Sequence, residues 1–150
     1  MPRLNAQAPG EVFAAKRVVN ATTNAGRFRH PFAMVMGLND SLWVTERRGF
    51  VVRINTNSGA KKELLNISAQ VKFTTSGSGS SMGISQDGMF GIALHPELNT
   101  GTGKDFVYLA YCYDSSGFRR VRIVRFTYGK SAVSPYGDTL KNETILLRGI

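Results

Sequence analysis

The most informative segment of the chain is Gln86-Asp87-Gly88-Met89-Phe90-Gly91-Ile92-Ala93-Leu94-His95-Pro96-Glu97. Its middle is an apolar run that follows a glycine and stops just before a proline. Because proline cannot donate a hydrogen bond to a strand ladder, this pattern predicts a buried β-strand that ends at His95. A second stretch, Trp43-Val44-Thr45-Glu46-Arg47, lies upstream in a similar strand pattern.

Around these stretches, short β-type segments fall into two groups of four. The first group covers residues 32–36, 42–46, 50–55 and 62–67, and the second covers 89–94, 106–113, 119–128 and 143–147. In the first group the turns lie near Asn39-Asp40, Gly49 and Ser58-Gly59. These residue types tolerate left-handed backbone, so each group is predicted to be an antiparallel four-stranded meander without a long helix.

Each group begins with an apolar strand and continues with more polar ones. This gradient is typical of a β-propeller blade, whose first strand lines the central axis. A propeller closes with about 4–8 blades, whereas this chain encodes about two. We therefore expect residues 1–150 to be the N-terminal portion of a single β-propeller domain. Its blades are expected at about 28–70 and 86–150, with a Gly/Ser-rich loop at 74–85.

The two quoted stretches resemble signatures of the soluble glucose and aldose dehydrogenases that depend on pyrroloquinoline quinone (PQQ). The family's Gln-x-Gly-Leu-Leu-Gly motif aligns with residues 86–91, where Met89 and Phe90 replace the leucines, and its Thr-Glu-Arg segment aligns with residues 45–47. The resemblance covers most of residues 28–150. It implies an all-β, six-bladed β-propeller that oxidises an aldose sugar at its anomeric carbon, with hydride transfer to PQQ.

The resemblance implies that Gln86 binds both the cofactor and the substrate. An amide offers donors and an acceptor, which suits a sugar hydroxyl or a quinone oxygen without adding charge. The structural alternative is that Gln86 and Asp87 only form a turn with Gly88. The catalytic histidine, the Ca²⁺ ligands and the cations that hold PQQ are expected beyond Ile150, so residues 1–150 alone are expected to be inactive.

The remaining reactive side chains are expected to be structural. His95 precedes a proline at a strand end, and His30 also precedes a proline. Two isolated histidines with no cysteine or paired carboxylate nearby do not make a zinc site. Cys112 lies in an apolar stretch and is expected to be a buried thiol rather than a nucleophile. The pair Glu46-Arg47 is expected to point to opposite faces of its strand.

The charge of the chain favours anionic ligands. Its 19 Lys and Arg residues against 10 Asp and Glu residues give a net charge of +9. The basic residues are scattered without a recognition helix or an aromatic-rich binding signature, so nucleic acid is not an expected partner. On the strand from 118 to 126, Arg120 and Arg122 are expected to line the exposed face, while Val121 and Ile123 point inward.

The expected partners are an aldose sugar and an external electron acceptor, and the resemblance also allows for a homodimer. No apolar run approaches the ~20 residues of a membrane helix, so no membrane span is expected. A periplasmic or secreted location is expected, although the first 19 residues lack the apolar core of a secretory signal.

Two alternatives stay open at this point. One is a non-enzymatic β-propeller interaction domain of the same superfamily, which would keep the blade signatures without the catalytic residues. The other is a free-standing β-sandwich of two four-stranded sheets that binds anions through its charge. The sequence beyond residue 150 would discriminate between the enzyme and the interaction domain.

Overall fold

The computed structural model describes residues 14–19, 27–74, 87–129 and 138–150. The strands in these ranges are β1 (Pro31–Met36), β2 (Ser41–Glu46), β3 (Phe50–Asn55), β4 (Lys61–Asn66), β5 (Met89–Leu94), β6 (Phe106–Ser115), β7 (Phe118–Gly129) and β8 (Thr139–Arg148). They form two antiparallel four-stranded sheets in chain order, β1-β2-β3-β4 (sheet A) and β5-β6-β7-β8 (sheet B). The predicted meanders are confirmed, and the described ranges contain no helix.

The turns of sheet A lie where Asn, Asp and Gly predict them. Asn39 and Asp40 adopt left-handed backbone with φ of 55° and 52°. Gly49, between β2 and β3, has a φ of 100° and lies against the backbone of Ser68, so a Cβ at this position would also be too close to Ser68. These short connections hold the strands of sheet A in sequential order.

Strand β8 is longer than predicted. It begins at Thr139 rather than at residue 143, and it contains Asn142 in left-handed backbone with a φ of 56°. The register between β7 and β8 shifts in the same region. Because this irregularity breaks the alternation of apolar and polar residues, the sequence pattern alone detects only the second half of the strand.

The two sheets pack face to face. Trp43 and Val51 of sheet A lie in one buried cluster with Met89, Leu109 and Val124 of sheet B, all at most 1% exposed. Sheet A is also buried on its other face, where Val44, Val52 and Ile54 pack against Val18, Val19 and Phe28. Each sheet keeps its strands in chain order, unlike Greek-key sandwiches, in which the chain crosses between sheets.

The predicted facing of β7 is wrong at Arg122. This residue pairs with Tyr111 and lies on the same face of β7 as Val124, Phe126 and Tyr128, which are buried. Its guanidinium carbon lies 3.6 Å from the ring centroid of Tyr113. A planar guanidinium stacks well on an aromatic ring, so an arginine occupies a position on the inward face that the sequence pattern assigns to solvent.

Candidate functional site

The two sheets have two ends, and the candidate site residues lie at different ones. At the first end, β2 stops at Glu46, β5 starts at Met89, β6 stops at Ser115 and β7 starts at Phe118. We call this the Asp87 end. The opposite end contains the turn after β5 and the start of β8, and we call it the His95 end.

A buried carboxylate organises the Asp87 end. The side chain of Asp87 is 0% exposed and lies 3.6 Å from Nη2 of Arg47 and 3.2 Å from Nη2 of Arg119. Its oxygens also accept hydrogen bonds from Thr74, at 3.0 and 3.1 Å from the main-chain nitrogen and 2.6 Å from Oγ1. Because a buried carboxylate is costly unless it is paired and hydrogen-bonded, these partners explain how Asp87 is accommodated. We call these four residues the Asp87 cluster.

The main chain next to Asp87 is held as well. Arg47 donates from Nε and Nη2 to the carbonyl oxygen of Asp87, at 3.0 and 2.7 Å. The amide of Met89 donates to the carbonyl of Arg47 at 2.9 Å, and the amide of Cys112 donates to the carbonyl of Gly88 at the same distance. Gly88 has a φ of 108°, and a Cβ there would collide with the Arg47 carbonyl. Residues 87–89 are therefore held by both sheets.

The two charged side chains of the Thr-Glu-Arg segment point to different surroundings, as predicted. Glu46 is buried and pairs with Lys61, whose Nζ lies 3.1 Å from Oε1 of Glu46. Arg47 belongs to the Asp87 cluster instead. The segment therefore connects one face of sheet A to the start of sheet B, with each charge paired separately.

Gln86 lies outside the described residues, so its binding roles stay a prediction. Its neighbour Asp87 lies inside them, and the sequence indicates no role for Asp87 besides the alternative of a turn with Gly88. The signal that would have revealed the cluster is not local, because Arg47 is 40 residues away from Asp87 along the chain. A carboxylate at the start of an apolar run was the only available hint.

Further cations lie at the Asp87 end. Arg119 and Lys72 have side chains that are 49% and 45% exposed, and Lys72 lies 3.6 Å from Asp114. The guanidinium carbons of Arg47 and Arg48 lie 5.1 and 5.5 Å from the ring centroid of Phe73. Positive charge that is partly open to solvent favours an anionic ligand at this end.

The histidines make structural contacts. His30 accepts a hydrogen bond from the amide of Arg47 through its carbonyl, at 2.9 Å. At the opposite end, Nδ1 of His95 accepts from the amide of Glu97 at 3.1 Å, and its ring packs edge-on against Phe106 with centroids 5.9 Å apart. The contacts of His95 shape the turn after β5, as the sequence predicted. Within the described ranges, no group of three or more His, Cys, Asp or Glu residues could hold a metal ion.

Cys112 is 6% exposed, and burial is the main cause that raises the pKa of its thiol. The sequence prediction of a buried thiol is confirmed. We expect Cys112 to react with a thiol reagent such as dithionitrobenzoate at least about 100-fold more slowly in the folded protein than in urea, because the thiolate is the reacting species. Equal rates under native and denaturing conditions would contradict this account of Cys112.

At the His95 end, an ion pair joins the two sheets. Nη2 of Arg53 lies 2.5 Å from Oδ2 of Asp138, and Nη1 of Arg53 donates to the hydroxyl of Tyr128. Burial acts to raise the pKa of Asp138, but the Tyr128 hydroxyl and the Arg53 guanidinium outweigh it and hold this pKa below its ordinary value.

A depressed folded-state pKa stabilises the protein above the unfolded value of 3.8, and this stabilisation is lost as the pH falls through the folded value. We expect Asp138→Asn to lower the free energy of unfolding by roughly 0.5–1 kcal/mol at pH 7. The difference from the wild type should become smaller as the pH is lowered from 7 to about 3, because this range passes below the unfolded value of 3.8. Urea unfolding at both pH values tests this, and a difference that is undiminished at the lower pH would refute the assignment.

No helix in the described part of the chain has the length and apolar character needed to cross a bilayer. No curated protein sequence matches the chain. Several solved structures match its fold, and two of them each have a TM-score of 0.59.

The first solved structure is a putative oxidoreductase (glucose dehydrogenase) from Thermus thermophilus, which is 18% identical, with 90% of this chain and 31% of that chain covered. The second is a glucose dehydrogenase, which is 17% identical, with 81% and 30% covered. The chain thus spans less than a third of the length of either structure. The sequence profile of the glucose/sorbosone dehydrogenase family matches residues 28–148. The chain therefore belongs to the glucose/sorbosone dehydrogenase family, and its two four-stranded sheets are of the β-propeller type.

Proposed function

We propose that the full-length protein is an oxidoreductase that oxidises an aldose sugar at its anomeric carbon and transfers the hydride to PQQ. The observation that carries the proposal is the family match over residues 28–148, which includes the segment that begins at Asp87. The likeness to the two glucose dehydrogenase structures supports the fold of such an enzyme. The final electron acceptor is an external one.

We also propose that the full-length protein is a six-bladed β-propeller and that residues 1–150 supply two of its blades. Its support is the exposed apolar surface on two edge strands, β1 of sheet A and β8 of sheet B. Phe32 and Met34 on β1 are 50% and 66% exposed, and Leu146 and Leu147 on β8 are both 49% exposed. Apolar edge strands of this kind are an aggregation hazard unless further strands cover them. Further blades of the same propeller would cover both strands.

The charge of the Asp87 end is compatible with an anionic quinone. PQQ carries carboxylates, and the cations that hold them are expected beyond Ile150. The partly exposed Arg119 and Lys72, which pair with Asp87 and Asp114, add positive charge at this end. When bound, PQQ supplies a carbonyl carbon that accepts a hydride, and Ca²⁺ polarises that carbonyl as a Lewis acid. The Ca²⁺ ligands and the base that removes the anomeric hydroxyl proton are expected beyond Ile150. Residues 1–150 alone are therefore expected to be inactive.

Gln86 is the residue of this chain that we assign to the site. Its amide would donate to and accept from the sugar or the quinone, which orients the reacting carbon without introducing a charge. The attachment of Gln86 to Asp87 supports this role, because Asp87 is fixed at the cationic end of the sheets.

Reconstitution of the full-length apoprotein tests the proposal. We expect dye-linked oxidation of aldoses after addition of PQQ and Ca²⁺, none without PQQ, and none with alditols, which lack an anomeric hydroxyl. A fully loaded protein that leaves all aldoses unoxidised would refute the enzyme and favour a propeller that serves as an interaction domain.

A further inference from the structure

We propose that a polar cavity between the two sheets, at the His95 end, binds an uncharged polyhydroxyl compound. The cavity has a volume of about 280 Å³. Ligand pockets usually measure ~300–1,000 Å³, so this cavity suits a molecule of about monosaccharide size. It lies at the opposite end of the sheets from the proposed site of oxidation, and the inference does not depend on that oxidation.

Sheet A forms one wall of the polar cavity. The register pairs Ser41 with Asn55 and Trp43 with Arg53 across β2 and β3, and all four residues line the cavity. Residues at such positions share one face of a sheet. This face packs on sheet B, since Trp43 belongs to the cluster between the sheets. The wall therefore places a hydroxyl, an amide and a guanidinium next to an indole.

Sheet B and two turns complete the lining. Asn99 lies in the turn after β5, Asp138 directly precedes β8, and Asn39 lies in the turn between β1 and β2. Asn39 and Asn99 both adopt left-handed backbone, with φ of 55° and 63°. Asparagine tolerates this conformation better than most residues. The turns therefore bring two further side-chain amides to the cavity.

The two charged groups of the cavity neutralise each other. Nη2 of Arg53 lies 2.5 Å from Oδ2 of Asp138, and Nη1 of Arg53 donates to the Tyr128 hydroxyl. An anion would compete with Asp138 for the guanidinium, and a cation would compete with Arg53 for the carboxylate. Because separating a partly buried ion pair is costly, the cavity favours an uncharged ligand.

The hydrogen-bonding capacity of the cavity is matched to hydroxyl groups. Among the residues whose placement the structure gives, none donates to or accepts from the side-chain amides of Asn39 and Asn99. Each amide offers two donors and an acceptor, and each hydroxyl of a polyol both donates and accepts. Leu38 and Trp43 add apolar surface to the lining, which the CH groups of a polyol can contact. An uncharged polyol therefore fits both the charge and the polar groups of the cavity.

The test is a titration of the full-length protein with sorbitol, with the Kd measured by saturation-transfer difference NMR. Sorbitol has no anomeric hydroxyl, so binding is measured without turnover. The variant carries both Asn39→Gly and Asn99→Gly, which remove the two amides at positions where left-handed backbone suits glycine. The matched control is Asn142→Gly, since Asn142 is also exposed and left-handed, with a φ of 56°, but does not line the cavity.

We expect saturable binding of sorbitol to the wild type and a Kd at least about tenfold higher in the double variant, because hydrogen bonds to both amides are lost. The Kd of Asn142→Gly should equal that of the wild type. Binding that does not saturate, or an equal Kd in all three proteins, would overturn the proposal.

Gluconate tests the preference for an uncharged ligand, because it carries a carboxylate on a similar polyol chain. It should bind the wild type at least about tenfold more weakly than sorbitol, since its charge competes with Asp138 for Arg53. Equal or tighter binding of gluconate would overturn the assignment to uncharged ligands. A protein that oxidises no aldose would refute the proposed function and leave both binding measurements decisive for the cavity.

Discussion

Replacing Trp43 with alanine is expected to lower the free energy of unfolding of the full-length protein by about 3–5 kcal/mol. Trp43 is 1% exposed and lies in the cluster between the sheets, edge-on to Tyr128 with ring centroids 5.2 Å apart. Its Nε1 donates to Oγ of Ser41 at 3.2 Å. The indole also packs so closely against Gly37 that a Cβ at position 37 would collide with it. The cavity left by alanine would remove contacts of both sheets at once, which urea unfolding would measure.

Trp43→Phe is the control for this prediction. Phenylalanine keeps an aromatic ring near Tyr128 and loses only the hydrogen bond to Ser41 and part of the volume, so it should cost clearly less than alanine. If both variants unfolded at the wild-type urea concentration, the packing of sheet A on sheet B would not stabilise the protein, and the described core would be wrong.

Replacing Gln86 with leucine is expected to lower kcat/KM of the full-length enzyme roughly 5- to 150-fold, which corresponds to about 1–3 kcal/mol for an unsatisfied partner group. Leucine preserves bulk but removes both the donors and the acceptor of the amide. The measurement is dye-linked aldose oxidation at matched PQQ content. Thermal unfolding should be close to that of the wild type, because leucine preserves the bulk of the side chain.

Gln70→Leu provides a matched control for Gln86→Leu. Gln70 is an exposed glutamine whose Oε1 accepts from the hydroxyl of Tyr111 at 3.3 Å. The same substitution there should leave kcat/KM within about twofold of the wild type, because the Tyr111 hydroxyl keeps its hydrogen bond to Oε1 of Glu143 at 2.8 Å. Equal losses in both variants would mean that the effect at Gln86 is not specific to that position.

The strand order and the turns could be predicted from the sequence because they depend on neighbouring residues. The alternation in β2 and β3, the left-handed Asn39 and Asp40, and the glycine at position 49 all act within a few residues. The start of β8 could not be predicted, because Asn142 interrupts the alternation on which strand detection depends. For this reason, the period-two pattern of apolar residues does not detect irregular parts of strands.

The Asp87 cluster could not be predicted for a different physical reason. Its members are Arg47 in the turn after β2, Thr74 after sheet A, Asp87 just before β5 and Arg119 in β7, so only tertiary packing brings them together. The facing of Arg122 depended on packing too, because a guanidinium lies over Tyr113 on a face that otherwise carries apolar residues. Local patterns identify the strands, whereas buried charge depends on partners distant in the chain.

We propose that the Asp87 end of the sheets is the catalytic end and that the His95 end takes no part in the reaction. The most direct test compares Gln86→Leu with His95→Ala in the full-length, PQQ-loaded protein. We expect kcat/KM to fall roughly 5- to 150-fold for Gln86→Leu and to stay near the wild-type value for His95→Ala, which only alters the turn after β5. A large loss of activity in folded His95→Ala together with normal kinetics in Gln86→Leu would contradict it.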